Sequence, residues 1–149
     1  MNQKPFTILI AVPVYNEDAI INKSVKTLRD FCEKHFCDYK WKIIISDNNS
    51  TDRTAEMAKK IEEKSGDKII YKFIRQKGKG LAIRESWKSF DADFYVFMDA
   101  DLATDLSALP VLIKELENGS DLVIGSRFAK NASVKRSFAR KITSKVFSL

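Results

Sequence analysis

Apolar and polar positions alternate along this chain with two periods. Short runs rich in β-branched and aromatic residues recur at Thr7–Val12, Lys42–Ser46, Ile69–Ile74, Phe94–Met98 and Leu122–Gly125. Each has strand length and predicts a buried or half-buried strand. Helical periodicity fills the gaps between them. Ile21, Val25, Leu28 and Cys32 fall on one face of a 3.6-residue repeat. A second helix is predicted from the polar cluster Ser50-Thr51-Asp52 to just before Gly66. A third follows Gly80, with Ile83, Trp87 and Phe90 on one side. A fourth carries Leu109, Leu112, Ile113 and Leu116, with Pro110 in its first turn and Gly119 past its end. The order is βαβαβαβαβ. Short strands joined by helical crossovers predict an α/β fold, a mostly parallel sheet with helices on both faces. No repeat, low-complexity tract or linker interrupts it.

The segment Ser133–Leu149 breaks this alternation. Val134, Phe138, Ile142 and Val146 recur every fourth residue, with Arg136, Arg140, Lys141 and Lys145 on other faces or at the margins. This predicts a basic amphipathic helix. Such a helix either lies in a bilayer interface or packs its stripe on protein, and the periodicity is the same for both.

Length and charge sharpen the picture. The chain has 149 residues, with 44% hydrophobic and 31% charged residues, which fits one folded domain and excludes general disorder. No stretch approaches the roughly 18 apolar residues a spanning helix needs. The N-terminal Met1-Asn2-Gln3-Lys4-Pro5 lacks the apolar core of a signal peptide. The expectation is a cytoplasmic protein, soluble or peripheral at the cytoplasmic face of a membrane. Net charge is +6. Lys130, Lys135, Arg136, Arg140, Lys141 and Lys145 supply that excess, because residues 129–149 hold no carboxylate. A neutral body (1–128) therefore ends in a basic segment (129–149) suited to an anionic surface. The segment's aromatics, Phe138 and Phe147, read as its apolar face, and no nucleic-acid-binding motif is present. Cys32 and Cys37 flank His35 at a spacing that matches neither a zinc pattern nor a redox pair.

The polar residues concentrate just after the strands. Pro13-Val14-Tyr15-Asn16-Glu17 follows the first, Ser46-Asp47-Asn48-Asn49-Ser50 the second, and Arg75-Gln76-Lys77-Gly78-Lys79-Gly80 the third. Asp99-Ala100-Asp101 follows the fourth and Ser126-Arg127 the fifth. In a parallel sheet these turns share the carboxyl edge, where open α/β folds bind ligands. Asp99 and Asp101 bring two like charges into a small volume. A Mg²⁺ or Mn²⁺ ion shared with a diphosphate is their natural partner, and helix capping by Asp101 or Asp105 is the plainer alternative. Lys77-Gly78-Lys79-Gly80 is neither a P-loop nor a dinucleotide fingerprint, but such a turn can approach a phosphate or sugar. Asp47 could accept from a nucleobase N–H, Tyr15 could flank the base and Glu17 could bind ribose or a base edge. All three also read as residues around helix starts. Arg127 could hold a phosphate in bidentate fashion.

Taken in order, Pro13–Glu17, Asp47–Asp52, Lys77–Gly80, Asp99–Asp101 and Gly125–Arg127 resemble family 2 glycosyltransferases of GT-A (Rossmann-like) fold. Gly125-Ser126-Arg127-Phe128 followed by Arg140-Lys141-Ile142-Thr143-Ser144 resembles the polyprenyl-phosphate branch, the dolichyl-phosphate mannose and glucose synthases. The resemblance implies inverting transfer of a hexose from a nucleotide sugar to polyprenyl phosphate. It implies that Pro13, Tyr15, Glu17, Ile45 and Asp47 hold the nucleoside. It gives Asp99, Ala100 and Asp101 to the diphosphate, directly or through metal, and adds Lys79 as a donor contact. Arg127, Arg140 and Ser144 fall to the lipid phosphate, and Asp101 and Arg127 take the catalytic roles. Three departures stand out. Asp47-Asn48-Asn49-Ser50 replaces an Asp-Asp-Gly-Ser pattern. Ala103 stands where mannose synthases often carry Gln, which with Lys79–Arg84 favours UDP-glucose over GDP-mannose. Members of this family also normally continue beyond the basic helix, so the chain reads as truncated. The alternative reading is a partial or inactive nucleotide-sugar-binding fragment. A nucleotidyltransferase would carry its Gly-rich loop after the first strand, where this chain has Pro13–Glu17.

Overall fold

The computed structural model describes residues 5–125. Eight elements alternate: β1 (Thr7–Val14), α1 (Ile21–His35), β2 (Lys40–Asp47), α2 (Thr54–Glu63), β3 (Ile69–Phe73), α3 (Lys79–Trp87), β4 (Phe94–Phe97) and α4 (Ala108–Glu117). The strands form one parallel sheet in the order β3-β2-β1-β4. A parallel sheet needs cover on both faces, and alternation along β1 supplies two apolar faces. Ile8, Ile10, Val12 and Val14 join Ile43 and Ile45 of β2 in one core with Ile21, Val25, Leu28 and Cys32 of α1, Ala58 of α2, and Leu109 and Ile113 of α4. On the other face Ser86 of α3 meets Ser46 of β2 through a buried pair of hydroxyls. Ser86 also donates to the Ala82 carbonyl at 2.8 Å, so Ser46 is the donor to Ser86.

The chain runs β1 to β2 to β3 in one direction and then crosses to the other side of β1 for β4. The order of strands therefore switches between β1 and β4. β1 also outruns its neighbour there. β4 pairs only with Ile8–Ala11, whereas β2 pairs with β1 as far as Val14. The Ala11 carbonyl accepts from Met98 N–H, so odd-numbered residues of β1 turn their backbone groups toward β4. Pro13, two residues on, faces a side where β4 has already ended. A proline is accepted in this central strand because no ladder bond is asked of it.

Several boundaries differ from the sequence pattern. β1 and β2 continue through Val14 and Asp47, so Pro13, Val14, Ser46 and Asp47 lie inside strands. α3 starts at Lys79 and ends at Trp87, leaving Phe90 beyond it. Leu122–Gly125 is not a strand, and Leu122 and Ile124 are exposed. A four-residue apolar run becomes a strand only when a neighbouring ladder takes its backbone groups, and no described strand does. The basic helix predicted over 133–149 lies outside the described residues, as do Arg127, Arg140 and Ser144.

Candidate active site

A cleft of about 260 Å³ opens at the carboxyl edge of the sheet, where β1 outlasts β4. It is lined by Pro13, Val14, Tyr15 and Glu17 from the end of β1, Asn48 after β2, Lys79 at the start of α3, and Asp99, Ala100 and Asp101 after β4. Seven of the predicted site residues therefore meet in one place: Pro13, Tyr15, Glu17, Lys79, Asp99, Ala100 and Asp101. Ile45 and Asp47 do not line it. Ile45 is wholly buried in the core. Asp47 is also wholly buried, and both its oxygens are engaged: Oδ1 accepts Ser50 N–H at 2.9 Å and Oδ2 accepts the Tyr71 hydroxyl at 2.9 Å. Burial and then Asp47 push the Tyr71 phenol well above its usual pKa, so it stays a donor.

Local chemistry shapes the turns. Asn16, Asn49 and Leu102 are the three non-glycine residues with positive φ among those described, at 55°, 63° and 48°. Asn16 and Asn49 stand two residues past the ends of β1 and β2, and Leu102 stands in the turn after β4. Asn tolerates that conformation, whereas Leu102 carries local strain directly after the aspartate pair. Asn16 Oδ1 accepts Thr51 N–H at 2.8 Å, and Asn16 N–H donates to Ser50 Oγ at 3.0 Å. Glu17 N–H donates to Thr54 Oγ1 at 2.8 Å. The turns after β1 and β2 are thus laced together. The segment after β3 straps across them. Asn49 Nδ2 donates to the Arg75 carbonyl at 3.2 Å, and Gly78 N–H donates to Asn48 Oδ1 at 2.8 Å. Lys77 Nζ donates to the Tyr15 hydroxyl at 2.8 Å and lies 4.5 Å from the centre of its ring. Gly78 adopts φ 152°, a conformation side-chain-bearing residues rarely take.

Charge within the cleft is crowded. Asp99 forms an ion pair with Lys79, and both side chains are about half exposed. Asp101 Oδ1 accepts Ala103 N–H at 3.0 Å. Glu17 is raised above the usual carboxylate range, first by burial, then by the charges of Asp101 and Asp52. Asp105, the other capping candidate, accepts Ser107 N–H at 2.9 Å ahead of α4. The donor set of Asp99 and Asp101 fits a hard divalent cation, because it offers carboxylate oxygens and a negative charge that one ammonium does not cancel. Among the described residues no group of three His, Cys, Asp or Glu side chains could hold a metal. Such an ion would need other oxygens, as Mg²⁺ commonly takes from water and phosphates.

Sequence reasoning did not single out Val14 and Asn48 as lining residues, nor Lys77 and Tyr71 as the supports of Tyr15 and Asp47. Val14 and Asn48 belong to the turns already noticed, so position was available as a signal. Tyr71 carried no such signal, because its place opposite Ile45 is set by the register of β3 on β2. Cys32 is buried, Cys37 is exposed and both are free thiols, while His35 stacks on Phe31.

The Glycosyl transferase family 2 model matches residues 9–147, nearly the whole chain, and the protein belongs to that family. The chain is 32% identical over 139 residues to a dolichol-phosphate mannosyltransferase of Pyrococcus furiosus, covering 93% of this chain and 38% of that protein. It is 27% identical over 136 residues to an undecaprenyl-phosphate 4-deoxy-4-formamido-L-arabinose transferase of Salmonella choleraesuis, covering 91% of this chain and 41% of that one. The chain thus spans about two-fifths of the length of these two relatives. Among solved structures, a mannosyltransferase from Pyrobaculum calidifontis in complex with GDP-mannose and Mn²⁺ superposes with TM-score 0.65 at 21% identity, over 80% of this chain and 34% of that one. That likeness establishes the GT-A architecture. Neither relative is named for glucose, so these comparisons give UDP-glucose no preference over GDP-mannose.

Proposed function

We propose that this chain carries the donor half of a glycosyltransferase that moves a hexose, glucose or mannose, from a nucleotide sugar to a polyprenyl phosphate with inversion. The observation that carries the reading is the single cleft in which the turns after β1, β2 and β4 meet the first residue of α3. It sits at the strand-order switch, the crevice in which open α/β sheets take nucleotides. The relatives named for dolichol and undecaprenyl phosphate support the acceptor class.

Tyr15 offers an aromatic face for the nucleobase, with Pro13 and Glu17 beside it. Asp47 keeps its role behind the turn unless its bond to Tyr71 opens toward the base, and Ile45 supports it from the core. Asp99, Ala100 and Asp101 face the diphosphate, and Lys79 adds a positive charge. A Mg²⁺ or Mn²⁺ ion held by Asp99 and Asp101 would supply charge neutralisation at the leaving diphosphate. The anomeric carbon exchanges its bond to the β-phosphate oxygen for a bond to an acceptor phosphate oxygen, and the leaving diphosphate keeps the electron pair. An acceptor phosphate is already ionised near neutral pH, so no side chain has to remove a proton. It calls for cations instead, a role we give to Arg127 and Arg140 with Ser144. Residues 1–128 form the donor-binding unit in this reading. Residues 129–149 carry the basic charge to an anionic cytoplasmic membrane face, at roughly 1 kcal/mol for each cation near the surface.

Transfer of radiolabelled sugar into an organic-soluble lipid, with UDP-glucose and GDP-mannose compared in the presence of Mg²⁺ or Mn²⁺, tests the proposal. Asp101→Ala is expected to reduce transfer by about a hundredfold or more. Undiminished transfer by that variant would remove the metal assignment. A second reading is nucleotide-sugar binding without transfer, which needs only the cleft residues Tyr15, Lys79, Asp99 and Asp101. Nucleotide binding with no labelled lipid product selects it.

A further inference from the structure

Lys79 and Asp99 form an ion pair within the cleft, and Asp101 has no cationic partner among the described residues. The two carboxylates of the pair are therefore in different electrostatic states. One is neutralised by a resident ammonium. The other adds to the negative field that raises Glu17. Lys79 thus occupies, with a single positive charge, the position on Asp99 that a divalent ion would compete for.

The backbone beneath Lys79 is held while its side chain is not. Asn48 and Asn49 bind the backbone of Gly78 and Arg75, and Lys77 is tied to Tyr15. Lys79 itself begins α3, and its side chain is about half exposed. Release of Asp99 therefore needs only rotation about a flexible four-carbon stem, with no loop movement. A lysine ammonium is a strongly hydrated point charge that pairs as readily with a phosphate oxygen as with a carboxylate.

We propose that Lys79 is a counter-ion exchanged between two partners: it neutralises Asp99 in the empty cleft and passes to the diphosphate of the donor when a divalent ion takes its place. This rests on the metal-assisted reading given above and adds the order of events to it. Metal alone meets a site already partly neutralised and binds weakly. Metal with a diphosphate meets a carboxylate that Lys79 has left. By linkage the same exchange makes each of the two ligands raise the affinity for the other.

The test measures binding rather than turnover, in wild type, Lys79→Met and Lys79→Arg. Mn²⁺ alone is titrated by electron paramagnetic resonance of the free ion, and UDP and GDP are titrated separately in chelator. The Met variant is expected to bind Mn²⁺ about three- to tenfold more tightly, because a competing charge is gone. It is expected to bind metal-free UDP or GDP more weakly by a similar factor. The Arg variant should restore both toward wild type. Opposite signs for the two ligands show that Lys79 acts on both. Exchange between them further requires that the tightening of Mn²⁺ binding by UDP or GDP be smaller in Lys79→Met than in wild type, and an undiminished tightening would overturn it. The inference is overturned if wild type binds Mn²⁺ and Lys79→Met binds it equally or less well. In an Asp99→Asn background the Met substitution should leave any residual Mn²⁺ binding unchanged, and a persisting gain would also overturn it. If wild type takes up no Mn²⁺ even with saturating UDP or GDP, the metal-assisted reading fails first and this inference falls with it.

Discussion

Glu17 is the residue whose ionisation reports most directly on crowding in the cleft. Its carboxyl is raised from 4.5, by burial first and by Asp101 and Asp52 after it. A raised acid favours the protonated folded state. Its contribution to stability is complete below about 4.5 and is lost as pH rises through the raised value. Glu17→Gln should therefore gain thermal stability relative to wild type as the pH is taken from 4 to 7, read by melting temperature in steps across that range. A gap that stays constant with pH would contradict the account. At this scale the sequence was informative about place: standing after an apolar strand puts Tyr15, Asp99 and Asp101 on the wall of the cleft. It was misleading for Asp47. A polar residue after Ile43-Ile44-Ile45-Ser46 reads as the exposed start of a turn. In the fold β2 continues through it, its side chain lies on the core face, and Tyr71 from β3 closes over it. That partnership depends on a strand register separated by 24 residues, which no local pattern encodes.

Among the elements, α4 is tied to the turn before β2 by one bond that spans 78 residues of chain, Tyr39 Oη donating to Glu117 Oε1 at 2.5 Å. The bond to Glu117, then burial, pushes the Tyr39 phenol up to about 12. The same bond, with Lys114, holds Glu117 below the usual glutamate range. A lowered acid contributes stability above its ordinary value of 4.5 and loses it as pH falls through the folded-state value. Tyr39→Phe should cost about 1 kcal/mol at pH 7 and progressively less below pH 4.5, measured by urea unfolding. An equal cost at pH 7 and pH 3 would argue that packing of the ring edge, and not the charged hydrogen bond, carries the effect. α1 and α4 were legible because each has a long one-sided stripe. α3 instead buries Ala82 and Ser86 and not the predicted face of Ile83, Trp87 and Phe90, because a close approach to the sheet takes small side chains. Helix ends were less legible. α3 starts two residues earlier than expected, at Lys79, because Gly78 supplies the unusual φ that lets the strap enter the helix directly. Leu122–Gly125 was misjudged because four apolar residues describe a strand only in company.

For the molecule as a whole, one asymmetry does most to make the site. β1 stays paired with β2 to its end but loses β4 after Ala11. The alternation of strands and helices was enough to predict a parallel sheet and to put the polar turns at one edge. It did not contain the strand order, and so could not say that the turns of β1 and β4 would face each other across a gap. The lacing of Asn16, Asn48, Asn49 and Lys77 turns that gap into a cleft with set walls. Convergence of these distant turns on a bound nucleotide and divalent ion is the central claim. Paramagnetic broadening of the amide spectrum by Mn²⁺, added with UDP or GDP, tests it most directly. The account predicts loss of the Tyr15, Asn48, Lys79 and Ala100 amide signals together, with Cys37 and Gly66 at the far ends of the helices unaffected. Broadening spread evenly over the surface, or absent from this group of four, would contradict it.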